Sequence, residues 1–293
     1  MNDDQEGAGF VVQDIEYLAH EGVPLMATAF VPEGQGPFPA VVELHGGSWA
    51  AFDRTRNRPM HETLARNGIT VIALDYRKGA VAPWPAASAD ANYGVRWVKS
   101  NAARFKTRPE WVGLSGNSSG GHSAIVTAMK PNDHLQASIE GFAPFDASVK
   151  FVVLLWPVLD PLGRYRNAQR AAKRTPPADF GARVMANHQD YFRTEKNMTK
   201  ASVVRMLLEG EKVLKPPILF IQSSRDEVHN YRDPASFEGT EADRFATLYR
   251  IAGGEIELVY YDAPTSFATV DPSLPESVDA MKRVVAFVRR AGV

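Results

Sequence analysis

The chain has no cysteine among its 293 residues, so disulfides, thiolate nucleophiles and cysteine-held metals are excluded at the outset. It also lacks an excess of either charge: 33 Lys and Arg stand against 34 Asp and Glu, a net charge of −1. That balance offers no pull toward nucleic acid or an anionic membrane surface. No apolar run reaches the ~20 residues of a transmembrane helix. The stretch from Met1 to Gly9 is polar and acidic, without the basic-then-apolar order of a signal peptide. The expectation is a soluble cytoplasmic protein with neither membrane nor nucleic acid as partner. Neither an H-x-x-x-H pattern nor another cluster of His with carboxylates occurs, so no metal and no other cofactor is expected.

What is present is ordinary in proportion and informative in order. Hydrophobic residues make up 44% and charged residues 23%, ample for a sizeable core. There is no internal repeat. Short β-rich runs alternate with helical stretches, which predicts a mostly parallel sheet covered by helices. Strands are expected at 14–20, 24–31, 39–44, 69–76, 111–115, 151–156, 217–222 and 256–261. Helices are expected at 59–67, 85–103, 119–129 and from about residue 272 to 290. The run Phe151 to Trp156 is almost wholly apolar, as a central parallel strand should be. From Asp160 to Lys215 no good strand appears. This segment is expected to be a helical insertion within one domain spanning 1–293. It would lie near the carboxyl ends of the strands, where ligands bind in open α/β sheets, and so act as a lid.

The strongest chemical signal is Gly116-Asn117-Ser118-Ser119-Gly120, a G-x-S-x-G run between an expected strand and an expected helix. A serine hydroxyl is a poor nucleophile unless it is exposed, activated and close to oxyanion donors. A sharp strand-to-helix turn projects the Ser118 oxygen and aims the Ser119 amide at the developing negative charge. Ser115 and Ser119 lack glycines at both required offsets. A second signal, His45-Gly46-Gly47-Ser48-Trp49, ends a strand about seventy residues earlier. Its glycines would let backbone N–H groups approach the same oxyanion, which makes Gly46 and Gly47 oxyanion-hole candidates. His45 is expected to orient that loop and Trp49 to wall the pocket.

Together these motifs, with Phe52-Asp53-Arg54 and Gly120-Gly121-His122, resemble the hormone-sensitive-lipase-like and arylformamidase-like branches of the α/β-hydrolase superfamily. The resemblance covers nearly the whole chain. It implies a three-layer α/β-hydrolase fold with a helical lid, and a carboxylesterase that works through a Ser-acid-His triad on a small-molecule ester or amide. It makes His122 structural. It also places the acid after the strand that follows the lid, at Asp226 in Ser223-Ser224-Arg225-Asp226, with Glu227 as the nearest competitor. The base should follow the next strand, where this chain reads Ala263-Pro264-Thr265-Ser266-Phe267. Thr265 stands where histidine is expected, and a threonine hydroxyl is no general base near neutral pH. Three explanations stand open: a deliberate replacement that traps a ligand; a non-catalytic ligand-binding relative, as the plant gibberellin receptors are; or another histidine, with His229 the best placed. The expectation is therefore an ester hydrolase that is inactive or impaired, with an arylformamidase-type amide hydrolase or a pseudo-hydrolase as alternatives. Trp49, Phe52 and Trp84 are the expected pocket walls.

Overall fold

Short apolar runs alternating with helix-forming stretches assemble into an eight-stranded sheet clad on both faces. The computed structural model describes residues 8–233 and 237–293. Most of the polar amino-terminal stretch, Met1 to Gly7, lies outside the described residues.

Strands β1 (Phe10–His20) and β2 (Val23–Pro32) form an antiparallel hairpin. Its two-residue turn, Glu21-Gly22, has φ of 50° and 80°, a conformation that suits the twist of a tight hairpin. There follow β3 (Ala40–Leu44), α1 (Arg58–Arg66), β4 (Thr70–Leu74), α2 (Ala86–Ser100), β5 (Val112–Asn117), α3 (Ser119–Met129) and β6 (Val152–Leu155). The helices α4 (Pro161–Ala172), α5 (Phe180–Phe192), α6 (Glu195–Lys200) and α7 (Val203–Leu208) come next. The chain closes with β7 (Ile218–Ser223), α8 (Glu241–Ile251), β8 (Ile256–Tyr261), α9 (Phe267–Val270) and α10 (Pro275–Ala291).

The strand order is β1-β2-β4-β3-β5-β6-β7-β8. The pairings β1·β2 and β2·β4 are antiparallel and all others are parallel. Every residue of β3, β4, β5, β6 and β7 is buried. Strands covered on both faces have no use for polar alternation, so these runs read as mostly apolar, with Glu43, Ser115, Asn117, Gln222 and Ser223 among the buried polar exceptions. One core lies between the sheet and α2, α3, α8 and the insertion; the other lies beneath α1, α9 and α10. This is the three-layer α/β-hydrolase architecture expected above.

The segment 160–215 contains α4 to α7 and no strand. It is tied down from below: His122 of α3 donates its Nε2–H to the Ala201 carbonyl at 2.9 Å. Burial pushes the His122 pKa down to about 4, so its ring is neutral and serves as a structural donor. Sequence reasoning passed over α8, although Ala242, Phe245, Ala246 and Tyr249 fall on one helical stripe and are buried. Among the described residues no helix is long and apolar enough to cross a membrane. No group of three or more His, Asp and Glu among them is placed to hold a metal.

Candidate active site

Strand β5 runs straight into Ser118, whose φ of 53° and ψ of −118° put it in a region that L-residues rarely occupy. The flanking glycines are steric necessities. A Cβ on Gly116 would sit 2.5 Å from the Gly120 carbonyl carbon, and one on Gly120 would collide with the Leu44 carbonyl oxygen. Main-chain bonds hold the strained turn: Ser118 N–H donates to Leu155 at 3.0 Å, and its carbonyl accepts from His122 and Val158, both at 3.1 Å. Strain of this kind persists only where its surroundings over-determine it.

The loop after β3 is pressed onto this elbow. A Cβ on Gly46 would meet Asn117 Nδ2 at 2.9 Å and Ser118 Cβ at 3.2 Å, and Gly47 has φ +115°. His45 is fully buried, stacks on Tyr76 with centroids 4.4 Å apart, and donates from Nδ1 to the Gly46 carbonyl at 2.6 Å. Tyr76 in turn donates to the His45 carbonyl at 2.6 Å. Burial lowers the His45 pKa, which leaves a neutral ring bracing the loop. Among the described residues, the N–H groups of Gly46, Gly47 and Ser119 donate to no protein acceptor.

Beneath the elbow lies a polar network that the motifs did not announce. Asn57 Nδ2 bridges Glu43 Oε1 at 2.7 Å and Asn117 Oδ1 at 2.9 Å, while His61 Nε2 reaches Glu43 Oε2 at 3.0 Å. Glu43 and His61 are fully buried. The sequence carried a signal for it: Glu43 is a charge inside the apolar strand Ala40-Val-Val-Glu-Leu44. A buried carboxylate must be paired and hydrogen-bonded, and here the pairing fixes the residue next to Ser118.

The imidazole that faces Ser118 belongs to His229. Ser118 Oγ lies 2.8 Å from His229 Nε2, and His229 Nδ1 lies 2.7 Å from Asp226 Oδ2. The carboxylate can only accept, so Nδ1 carries the proton and Nε2 presents its lone pair to the hydroxyl. Asp226 Oδ1 also accepts from the N–H groups of Val228 at 2.9 Å and His229 at 3.0 Å, closing the loop on itself. Burial alone would raise the Asp226 pKa, but His229 and these hydrogen bonds hold it below the usual carboxylate value. For His229 burial is the largest influence and lowers its pKa. The charges of Arg164 and Arg183 push the same way, and Asp226 opposes them. Arg164 Nη2 stands 3.4 Å from His229 Nε2, and its Nε donates to the Val228 carbonyl at 3.2 Å.

The expected base position is thereby corrected. Thr265 lines the same cavity as Ser118 but is not the group in hydrogen-bond reach of its oxygen; His229 is. The motif frame around Pro264 and Phe267 pointed to the loop after β8, whereas the imidazole in reach of Ser118 Oγ comes from the loop after β7. The cavity holds about 260 Å³ and is bordered by Gly46, Gly47, Phe52, Ser118, His229 and Thr265, with Arg56, Arg164 and Arg183 completing the polar wall. Two expected walls lie elsewhere. Trp49 is fully buried, stacked on Tyr191 at 4.9 Å and edge-on to Phe192 and His122, because the insertion's aromatics draw it inward. Trp84 borders a separate depression with Lys130 and Thr199.

Comparisons with known proteins identify the family and the fold. The family model described as BD-FAE matches residues 29–239. Esterase LipC of Mycobacterium tuberculosis is 27% identical over 231 residues, which is 76% of this chain and 52% of LipC. Esterase LipQ of the same organism is 27% identical over 123 residues, 42% of this chain and 29% of LipQ. The chain thus spans about half or less of the length of these curated relatives. Among solved structures, an esterase from Pyrobaculum calidifontis superposes with a TM-score of 0.76 at 25% identity, covering 96% of this chain and 85% of that one. The thermostable carboxylesterase EstE1, cloned from a metagenomic library, shares the fold with a TM-score of 0.74 at 20% identity, covering 99% and 91%. Elbow, glycine loop, sheet order and matched residues converge: the chain belongs to the BD-FAE family and has the α/β-hydrolase fold.

Proposed function

We propose that this chain hydrolyses carboxylic esters of small molecules, with Ser118 as nucleophile, His229 as general base and Asp226 as the acid that orients it. The observation that carries the proposal is the unbroken relay of 2.8 Å from Ser118 to His229 and 2.7 Å from His229 to Asp226. In this scheme Ser118 Oγ attacks the ester carbonyl while His229 Nε2 takes its proton. The imidazolium then passes that proton to the departing alkoxide, and water repeats the sequence on the acyl-enzyme. Asp226 holds the Nδ1–H tautomer and stabilises the imidazolium. The N–H groups of Gly46, Gly47 and Ser119, which have no protein acceptor among the described residues, suit the tetrahedral oxyanion. The insertion 160–215 acts as the lid, since Arg164, Arg183 and Asn187 from its first two helices roof the cavity. The names of the relatives, esterases throughout, support the same reading. The expectation of an impaired or purely ligand-binding protein rests on Thr265, and the His229 imidazole 2.8 Å from Ser118 Oγ supports an active enzyme instead.

The test is kcat on p-nitrophenyl butyrate. Ser118→Ala and His229→Ala should each lower it by about 10³-fold or more while the protein stays folded by circular dichroism. A His229→Ala enzyme that kept more than about a tenth of wild-type activity would overturn the assignment of the base.

A further inference from the structure

Three arginines meet at the active-site cavity without an anionic partner. Arg164 comes from α4, Arg183 from α5 and Arg56 from the loop between β3 and α1. Among the described residues no Asp or Glu borders the cavity, and none of the three guanidiniums lies within ion-pair distance of a carboxylate. Their sequence neighbours are different. Arg54, Arg58, Arg166 and Arg174 pair with Asp75, Glu62, Glu195 and Glu227 at 2.9, 2.7, 3.4 and 2.7 Å. Acidic partners therefore occur around this site, while none borders the cavity itself.

Arg164 is the informative member. It is 3% exposed, and while its Nε and Nη2 contact the loop of Val228 and His229, its Nη1 has no partner. The Asp226 carboxylate acts on this charge from nearby but is itself taken by the His229 imidazole and two backbone N–H groups, so it makes no ion pair with the guanidinium. A buried charge without a direct partner is costly, and a free guanidinium edge matches a carboxylate in a two-point contact. Its place is also adverse to the chemistry described above. A positive charge 3.4 Å from His229 Nε2 opposes the imidazolium that must form in the transition state. For a neutral ester that opposition persists through the reaction. An ester that brings its own anion to Arg164 cancels it at the moment of reaction. One bond of 2.8 Å and one contact of 3.4 Å separate Ser118 Oγ from the guanidinium, so the anion must lie only a few bonds from the scissile carbonyl. A cavity of about 260 Å³ suits such a short molecule.

We propose that the preferred substrates are small esters carrying their own carboxylate close to the scissile bond, with that carboxylate held between Arg164 and Arg183 and drawn in past Arg56. The inference rests on the Ser118–His229–Asp226 hydrolase reading. It adds a substrate class and a reason why the site is electrostatically complete only when such a substrate is bound.

The experiment compares kcat/KM of the full chain at low ionic strength on three esters. Monoethyl glutarate carries its carboxylate on the acyl side, 3-(butanoyloxy)propanoate carries it on the alcohol side, and ethyl 4-carbamoylbutanoate is a neutral isostere of the first. At least one anionic ester should exceed the neutral one by roughly tenfold or more, and which one does identifies the side that faces Arg164. The ratio of anionic to neutral kcat/KM should shrink with added salt and fall at least about fivefold in Arg183→Gln, an exposed position where folding is not at stake. Ratios near one for both anionic esters would overturn the proposal, as would a ratio indifferent to both Arg183→Gln and Arg56→Gln. Calorimetric titration with glutarate reads the anion site without turnover. Binding that weakens at least about fivefold in Arg183→Gln supports it, and absence of binding at millimolar glutarate overturns it. Failure of every ester, p-nitrophenyl butyrate included, with glutarate binding intact would instead sink the hydrolase reading and leave the anion site standing.

Discussion

Two loops leave the same end of the sheet side by side, one after β7 and one after β8, and they have divided their duties unequally. The loop after β7 carries both Asp226 and His229, three residues apart and buried. The loop after β8 carries Thr265 and Ser266 on the cavity wall and supplies no partner to Ser118 Oγ. Its role toward the first loop is that of a brace. The Ala263 carbonyl accepts from Ser223 Oγ at 2.5 Å, and Asp262 pairs with Arg225 at 2.5 Å on the surface. The difference teaches that a carboxylate and an imidazole on one short loop form a local unit. Asp226 organises the turn with one oxygen and the imidazole with the other, so their mutual geometry does not depend on how two loops happen to pack.

The largest break in that comparison comes from neutralising each loop's aspartate in turn. Asp226→Asn removes the acceptor that fixes the His229 tautomer, and kcat on p-nitrophenyl butyrate should fall by roughly 10³–10⁴-fold. Asp262→Asn removes only an exposed ion pair, of the kind that contributes little. Its kcat should stay within about threefold and its Tm within about 1 °C of the parent. Comparable losses from the two changes would mean that the loops act as one unit and that the asymmetry drawn here is false.

Much of the site was legible before any coordinates, for steric reasons. Gly116 and Gly120 are needed because no Cβ fits at either position, and Gly46 because the loop touches Asn117 and Ser118. Such necessities write themselves into a sequence. The strands were legible because burial on both faces leaves mostly apolar runs. What escaped was set by contacts that local pattern does not encode. The imidazole needs only to reach Ser118 Oγ with one nitrogen and an acid with the other, and a step of three residues from Asp226 satisfies both. The signal for it was the Asp-x-x-His spacing, in which the aspartate accepts from the N–H groups two and three residues on, as turn-forming aspartates do. Trp49 went astray for a related reason. An aromatic beside a glycine loop reads as a pocket wall, but Tyr191 and Phe192 arrive from 140 residues downstream and bury it.

The pH dependence sharpens the comparison further. His229 is faced by Asp226 on its own loop, Arg164 of α4 and Arg183 of α5. Burial and the two guanidiniums depress its pKa below the ordinary histidine value, and the base must be neutral to act. On a neutral ester, kcat/KM should therefore be flat at neutral pH and fall on the acid side with a pKa below about 6.5. Arg164→Gln removes one depressing charge and should move that limb upward in pH. A limb that moves down, or does not move, would show that the guanidinium does not act on the base. Activity in the wild type that rises steadily between pH 7 and 8 would contradict a depressed His229.

The smallest effect is expected where the family resemblance placed the base. Thr265→His puts an imidazole back into the frame of Pro264 and Phe267, yet Nε2 of His229 already lies 2.8 Å from Ser118 Oγ. A hydroxyl has a single proton to give. With Asp226 engaged by His229 at 2.7 Å and by two backbone N–H groups, a second imidazole would find no carboxylate free to set its tautomer. An unsupported histidine would also add volume to a cavity of only about 260 Å³. The kcat of Thr265→His on p-nitrophenyl butyrate should thus lie within about threefold of the parent, with any loss appearing in KM, since a positioned base already provides its roughly 10²–10⁴-fold. The same change made in a His229→Ala background asks the harder question. The double variant should remain as inactive as His229→Ala alone, because the backbone bonds to Asp226 Oδ1 hold the freed Oδ2 toward the place vacated by His229 on its own loop. Recovery of more than about a hundredfold would mean that the acid can serve either loop, and the division of labour between them would then be a preference of this chain rather than a constraint of its geometry.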